Sequence, residues 1–252
     1  MRAGASHGVA IKAAGTLWTW GRNNSGQLGD QTLTNRTAPT AITVTNPANT
    51  AKNWVAVSAG SGHTAAIRSD GTLWTWGLNN QGQLGLGSTT NASLPTRITG
   101  TGWAAVECGE SHTIALKGDG TLWAWGLNSS GQLGIGNTTR QLSPIKVGTL
   151  NTWTQISVGP NGFHSFARFG NGYPYAWGLN STGQLGDGAT SNRTSPFNMY
   201  SGPVRQVAAG GSHSAVIAVG LVYAFGKNDK GQLGLGYESD YSPSFIWMTT
   251  IQ

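Results

Sequence analysis

Short apolar stretches alternate with glycine-rich turns along the whole chain, and this pattern predicts β-strands throughout. In one unit, residues 54–60 (WVAVSAG) form a first strand, a second follows His63, and residues 72–77 (TLWTWG) are rich in strand formers. The turn at Asp70-Gly71 predicts a hairpin between the second and third strands. The first and third strands are apolar at most positions instead of alternating, as expected of a sheet covered on both faces.

A fourth strand is predicted to complete each unit. A long loop carrying the sequence Gly-Gln-Leu-Gly follows the third strand, and the fourth strand is expected to begin near a proline. Because proline has no N–H to donate, it suits an outer strand that lacks a partner on one side. The prolines at this position are Pro39, Pro95, Pro144, Pro196 and Pro243.

These features recur five times in a constant register, with a period of about fifty residues. The sequence Gly-Gln-Leu-Gly begins at Gly26, Gly82, Gly131, Gly183 and Gly231. All five histidines occupy one position of the unit: His7, His63, His112, His164 and His213. A large aromatic residue follows each of them: Trp20, Trp76, Trp125, Trp177 and Phe225. An asparagine lies three residues beyond each aromatic: Asn23, Asn79, Asn128, Asn180 and Asn228.

The motif Gly-x-x-His…Asp-Gly-Thr-Leu-Trp-x-Trp-Gly-x-Asn-x-x-Gly-Gln-Leu-Gly resembles the repeat of the regulator of chromosome condensation family, and it covers the whole chain. The resemblance implies a β-propeller, usually of seven blades, whereas this chain has five repeats. It also permits guanine-nucleotide exchange on a small GTPase and attachment to chromatin. Family members that exchange nucleotide have an inserted hairpin, whereas this chain has only the extra residues 45–52, and no exchange residue is carried over.

We therefore predict an all-β protein: one β-propeller domain, residues 1–252, of about five four-stranded blades. The repeats are placed at approximately 1–53, 54–102, 103–152, 153–203 and 204–252. The first unit is expected to lack its inner strand, because the sequence begins at a later position of the repeat. Ile251 occupies the repeat position at which Trp103 and Val204 begin the inner strands of their units. We expect the ring to be closed by pairing of the N- and C-terminal segments, since closure protects both edges.

Composition and charge narrow the classes of function. The chain has 252 residues, with 39 Gly and 11 Trp, and only 10% are charged. Its net charge of +6 is a sparse excess without runs of Lys or Arg, so a nucleic-acid partner is disfavoured. No apolar stretch fits a signal peptide or a membrane span. We expect a soluble protein, cytoplasmic or associated with a virion, because its uncharged, polar loops resemble surface proteins of virions or microbial exteriors.

Candidate chemistry is scarce, and we predict no catalytic residue, no cofactor and no enzyme activity. Equivalent histidines of a propeller lie one blade apart, whereas zinc ligands converge at about 2 Å from the metal. The histidines and their aromatics are therefore interpreted as structural, each histidine bonding a neighbouring backbone group, and no metal site is predicted. Gly-Gln-Leu-Gly lacks the lysine and helix of a phosphate loop. Asp30 and Asp187 are expected to be solvated turn residues, and Cys108 cannot form an internal disulfide.

The third-to-fourth loops are the longest and differ most between repeats, so we predict a protein-binding surface there. Arg and Tyr are favoured as interface anchors, and the candidates are Arg36, Arg140, Arg193, Tyr237 and Tyr241. The predicted function is a non-enzymatic interaction or structural propeller, with a place on a virion or cell surface. A carbohydrate-binding, lectin-like propeller is the alternative, and nucleotide exchange on a small GTPase is a third.

Overall fold

A computed structural model describes residues 1–43 and 53–247. Within these ranges the chain forms twenty strands and no helix, grouped into five four-stranded antiparallel sheets. Each sheet uses four consecutive strands in chain order, from an inner to an outer strand. The predicted fold class, an all-β propeller of five four-stranded blades, is confirmed.

The strand bounds are similar from blade to blade. Blade 1 contains β1 (Arg2–Ala3), β2 (His7–Ile11), β3 (Leu17–Gly21) and β4 (Arg36–Ala41). Blade 2 contains β5 (Trp54–Ala59), β6 (His63–Arg68), β7 (Leu73–Gly77) and β8 (Ala92–Arg97). Blade 3 contains β9 (Trp103–Cys108), β10 (His112–Lys117), β11 (Leu122–Gly126) and β12 (Gln141–Lys146). Blade 4 contains β13 (Trp153–Ser157), β14 (His164–Phe169), β15 (Pro174–Gly178) and β16 (Arg193–Asn198). Blade 5 contains β17 (Gln206–Ala209), β18 (His213–Ala218), β19 (Leu221–Asn228) and β20 (Ser239–Trp247).

Antiparallel pairing gives the molecule two distinct faces. One face, which we call the loop face, carries the first-to-second connections and the long third-to-fourth loops; in blade 2 these are residues 60–62 and 78–91. The opposite face, which we call the hairpin face, carries the second-to-third turns, such as residues 69–72, and the connections between blades. The Leu78 N–H donates to the Gly62 carbonyl at 2.8 Å and joins the two connections of the loop face.

The prolines lie inside the outer strands and not at their beginnings. Each outer strand begins three or four residues before its proline, as at Ala92 for Pro95. Thr75 pairs with Thr96 and Gly77 with Ala92, so the outer strand has extra residues opposite the third strand. Pro95 lies in this irregular stretch, where its missing N–H interrupts no regular pairing. The prolines therefore lie on the outer strands, near their beginnings, as predicted.

The inner strand of blade 1 differs from the one predicted. Blade 1 has an inner strand of its own, because Arg2 pairs with Val9 and Ala3 with Gly8. The expectation that this strand is missing is therefore wrong. Ile251, the residue expected to supply it, lies outside the described residues, so closure by the C-terminal segment stays a prediction.

The flank of blade 5 that points away from blade 4 is uncovered in the described part of the chain. A Cβ placed on Gly82 would approach Leu142 of the next blade to 2.6 Å, whereas one placed on Gly231 would meet no atom within 4 Å. On the opposite flank of blade 1, Trp20 is partly exposed, although Trp76 and Trp125 at the same position are fully buried. Among residues 1–43 and 53–247, the internal joints therefore have contacts that these two flanks lack.

Candidate functional site

The histidines hold successive blades together through one repeated network. In the joint between blades 2 and 3, His63 Nε2 lies 3.0 Å from Thr113 Oγ1. Thr113 Oγ1 donates to the Gln83 carbonyl at 2.8 Å, and Trp125 Nε1 donates to the same oxygen at 2.9 Å. The carbonyl lies on the blade of the histidine, while the hydroxyl and the indole come from the next blade. The same histidine–hydroxyl pair recurs at the other joints: His7–Thr64, His112–Ser165 and His164–Ser214.

This network fixes the protonation of each histidine. A hydroxyl has one proton to donate, and the Thr113 hydroxyl donates it to the carbonyl of Gln83. His63 must therefore donate from Nε2, which leaves Nδ1 unprotonated. The Nδ1 atoms of His7, His63, His112 and His164 are buried and have no hydrogen-bond partner. These four histidines thus each bond a side chain of the next blade, where we expected a backbone group.

Burial keeps these imidazoles neutral. It lowers the pKa of His63, His112 and His164 to about 3, and that of His7 to about 4. A base with such a low pKa accepts no proton near neutral pH, so general acid–base chemistry is disfavoured. Among residues 1–43 and 53–247, no group of three or more His, Cys, Asp or Glu side chains is placed to hold a metal ion.

The cysteine is equally unsuited to nucleophilic chemistry. Cys108 is buried at the end of β9, with 1% of its surface exposed. Burial, with the neighbouring charge of Glu107, raises the pKa of the thiol to about 12. Because the thiolate is the reactive form, this side chain is inert at neutral pH.

A cavity of about 440 Å³ lies among the inner strands, at the axis of the propeller. Arg2, Ser58, Glu107 and Ser157 are among the residues that line it. Glu107 accepts a hydrogen bond from Arg2 Nη2 at 3.2 Å and one from Ser58 Oγ at 3.1 Å. Burial raises the pKa of this carboxyl, while Arg2 and Ser58 oppose the rise. The axial carboxylate is thus engaged by the protein itself.

The buried asparagine of each repeat holds the long loop in place. Asn79 Oδ1 accepts from the Leu84 N–H at 2.9 Å, and its Nδ2 donates to the carbonyls of Ser88 and Thr90 at 3.0 and 2.9 Å. In every blade the asparagine accepts from the N–H five residues on and donates to at least one carbonyl further along the loop; the residues are Asn23, Asn79, Asn128, Asn180 and Asn228. The constant spacing from the aromatic residue identified these asparagines in the sequence. Their hydrogen bonds to the loop backbone could be recognised only in the structure.

Two loops have an additional clamp. The Asp30 side chain is 7% exposed and forms an ion pair with Arg36 at 2.6 Å. The Asp187 side chain is fully buried and pairs with Arg193 at 2.8 Å. Burial opposes ionisation of Asp30, but hydrogen bonds from Thr32 and Arg36 outweigh it and lower the pKa. The expectation that Asp30 and Asp187 are solvated turn residues is wrong, because both carboxylates hold their own loops.

All five candidate binding residues lie on the loop face, but in different settings. Arg36 and Arg193 are tied to these buried carboxylates. Arg140 is exposed, with one long contact from Nη1 to the Asn80 carbonyl at 3.4 Å. Tyr237 and Tyr241 are 57% and 44% exposed and both belong to blade 5. The structure therefore leaves Arg140, Tyr237 and Tyr241 most accessible to a partner.

The sequence reasoning missed one exposed apolar residue on this face. Leu33, in the long loop of blade 1, is 62% exposed. The same repeat position is occupied by Thr89 in blade 2, so a comparison of the repeats in the sequence could have identified Leu33.

Replacing the loop-clamping asparagine should loosen one loop selectively. We expect Asn79→Ala to lower the free energy of unfolding by about 1–3 kcal/mol, because the buried Leu84 N–H loses its acceptor and two loop carbonyls lose their donor. Limited proteolysis should then cut within residues 80–91 faster than in the wild type. The exposed neighbour Asn80, replaced by alanine, is the control and should change the cleavage rate little. Equal cleavage rates in Asn79→Ala and the wild type would contradict the clamp.

Comparison with known proteins agrees with this architecture. The model of the RCC1-like domain family matches residues 1–250. The chain is 35% identical over 220 residues to the ultraviolet-B receptor UVR8 of Arabidopsis thaliana, covering 85% of this chain and 49% of that protein. It is 29% identical over 218 residues to the E3 ubiquitin-protein ligase HERC2 of Homo sapiens, covering 84% of this chain and 4% of that one. The chain thus spans about half or less of the length of these relatives.

Solved structures show the same fold. The crystal structure of Kap60 bound to yeast RCC1 (Prp20) matches with a TM-score of 0.86 at 20% identity, over 98% of this chain and 60% of that chain. Human WBSCR16 matches with a TM-score of 0.85 at 23% identity, over 98% of this chain and 65% of that one. In the described residues, no helix is long and apolar enough to cross a membrane. Because the family model matches almost the entire sequence, this chain belongs to the RCC1-like domain family of β-propellers.

Proposed function

We propose that the protein is a non-enzymatic interaction module whose loop face binds a protein partner. One observation carries this proposal: all five long loops have the same buried asparagine clamp, while their exposed side chains differ. A clamped loop loses little conformational freedom on binding, and such preorganisation favours affinity. The differing side chains, including Leu33, Arg140 and Tyr237, supply distinct contacts on one rigid frame.

The family comparison supports a protein partner. Yeast RCC1, which shares the fold, has been crystallised with Kap60 bound. A lectin stacks sugars on exposed aromatic faces, and the repeated tryptophans Trp76, Trp125 and Trp177 cannot serve because they are fully buried. Family members that exchange nucleotide have an inserted hairpin, and this chain has only the extra residues 45–52 to compare with it. These residues lie outside the described part of the chain. A place on a virion or cell surface stays a prediction.

The proposal predicts that binding depends on the accessible loop-face residues. We expect the combined variant Arg140→Ala, Tyr237→Ala and Tyr241→Ala to bind its protein partner at least about tenfold more weakly, because hot-spot residues contribute over 1 kcal/mol each. Its melting temperature should stay close to that of the wild type. Arg36→Ala and Arg193→Ala should also lower the melting temperature, since each leaves a buried carboxylate unpaired.

The experiment is affinity capture from a clarified extract of the native source, followed by affinity measurements with the purified partner. The control is the pair Arg97→Ala and Lys146→Ala on the hairpin face, which should retain the captured protein. If the loop-face variant captures the same protein with the same affinity while the hairpin-face pair loses it, the proposed face is wrong.

A further inference from the structure

The positive charge of the chain is concentrated on the hairpin face. Seven basic residues lie on this face. Lys12, Arg68, Lys117 and Arg168 lie at or next to the ends of second strands, Arg97 and Lys146 end outer strands, and Arg205 precedes the first strand of blade 5. The acidic residues of this face are Asp70 and Asp119, in the turns of blades 2 and 3. Both accept hydrogen bonds from the threonine two residues later, which fixes them within their own turns.

The loop face, in contrast, has balanced charge. It carries as many acidic as basic residues: Arg22, Arg36, Arg140, Arg193, Lys227 and Lys230 against Asp30, Glu110, Asp187, Asp229, Glu238 and Asp240. Arg36, Arg193 and Lys227 form ion pairs with acids of the same face. Arg2 and Glu107 pair in the axial cavity. The net charge that looked diffuse along the sequence is therefore a property of one face.

Four of the seven basic residues of the hairpin face are exposed. Lys12, Arg97, Lys146 and Arg205 are exposed, and none of them forms an ion pair within the described part of the chain. Lys146 is close enough to help lower the pKa of Asp119, but the main cause of that shift is the hydrogen bonds from Thr121. A cationic surface with few local counter-charges attracts polyanions and steers them to one side of the molecule.

Exposed aliphatic side chains lie on the same face. Val55 at the start of β5, Leu150 between blades 3 and 4, and Leu221 beside the turn of blade 5 are 58%, 44% and 38% exposed. Val219 in that turn is 76% exposed and has a φ of 46°. A β-branched residue is strained in this left-handed region, and glycine or asparagine would fit it better. The backbone strain at Val219 thus coincides with an apolar side chain that is exposed to solvent.

We propose that the hairpin face binds the surface of an anionic lipid bilayer. Basic residues near such a surface contribute attraction to acidic headgroups, and the aliphatic side chains can enter the interfacial layer. Phosphates of nucleic acid would satisfy the charges but would gain nothing from four exposed aliphatic residues. The neutral loop face would then point away from the bilayer and remain free for a protein partner.

The test is co-sedimentation of the purified chain with vesicles of phosphatidylcholine, with and without phosphatidylserine. We expect binding only to the anionic vesicles and its loss in high salt. The pair Arg97→Glu and Lys146→Glu should weaken this binding by at least about tenfold, because each basic residue near the surface contributes about 1 kcal/mol. The matched control is Arg22→Glu and Lys230→Glu on the loop face, which changes the net charge equally and should bind as the wild type. Thermal melting of each variant checks that it is folded.

Two further arms separate the partner classes. Val219→Ser and Leu221→Ser together should weaken vesicle binding and leave any attraction to duplex DNA unchanged. Absence of binding to anionic vesicles, or equal losses in the two charge variants, would overturn the proposal. Binding to duplex DNA that depends on Arg97 and Lys146, without binding to vesicles, would overturn it in favour of a nucleic-acid partner. None of these results depends on the loop-face partner, so the two proposals fail separately.

Discussion

Acidification from pH 6.5 to about 4 is expected to unfold the protein. In the unfolded chain each histidine takes up a proton near pH 6.5, whereas burial lowers the folded pKa of His63, His112 and His164 to about 3 and of His7 to about 4. Between these values the unfolded state binds more protons, so stability falls as the pH falls. Each histidine contributes a slope of about 1.4 kcal/mol per pH unit, so the four together can remove a stability comparable to the usual total of about 5–15 kcal/mol within this range.

The measurement is urea unfolding at a series of pH values through this window. His112→Gln is the informative variant, because the glutamine Nε2 can still donate to Ser165 Oγ but does not titrate. We expect it to reduce the pH slope by the share of one histidine. Asp30 and Asp187, whose pKa values are lowered from 3.8, stabilise the folded state above that pH, and their contribution is lost mainly below it, so they do not obscure the result. Stability that is flat between pH 6.5 and 4 would contradict the neutral, buried network.

Removal of the indole from an internal joint should have the second large effect. Trp125 is fully buried between blades 2 and 3, and its Nε1 donates to the Gln83 carbonyl at 2.9 Å. We expect Trp125→Ala to cost about 3–5 kcal/mol, because the joint gains a cavity and loses a hydrogen bond. The melting temperature should fall by about 10 °C for a protein of this size.

Trp20 provides a matched control within the same chain. It occupies the same position of the third strand in blade 1, but it is partly exposed, and its indole N–H makes no hydrogen bond within the described residues. Trp20→Ala should therefore cost clearly less than Trp125→Ala in thermal melting. If the two substitutions cost the same, another segment covers the flank of blade 1, as the predicted closure of the ring requires.

The candidate binding surface was only partly predictable. Loop lengths and divergence identified the loop face, and the antiparallel strand order places all five candidate residues there. The sequence could not separate Arg140, which is accessible, from Arg36 and Arg193, which hold buried carboxylates. That distinction depends on how each loop folds back. Both arginines lie six residues after their aspartates, at the first position of the outer strand that follows the irregular loop.

The sequence by itself determined the blade. Each of its strands, hairpins and outer prolines follows from local preference and from contacts within about fifty residues, and five copies in register leave one architecture. Only the tertiary structure decided how the blades meet. Thr113 lies 50 residues from His63, and nothing local indicates that its hydroxyl joins an imidazole to a carbonyl of the preceding blade. The separation of charge between the two faces has the same origin. Residues distant in the chain reach one face because strand direction, and not sequence distance, decides where each side chain lies.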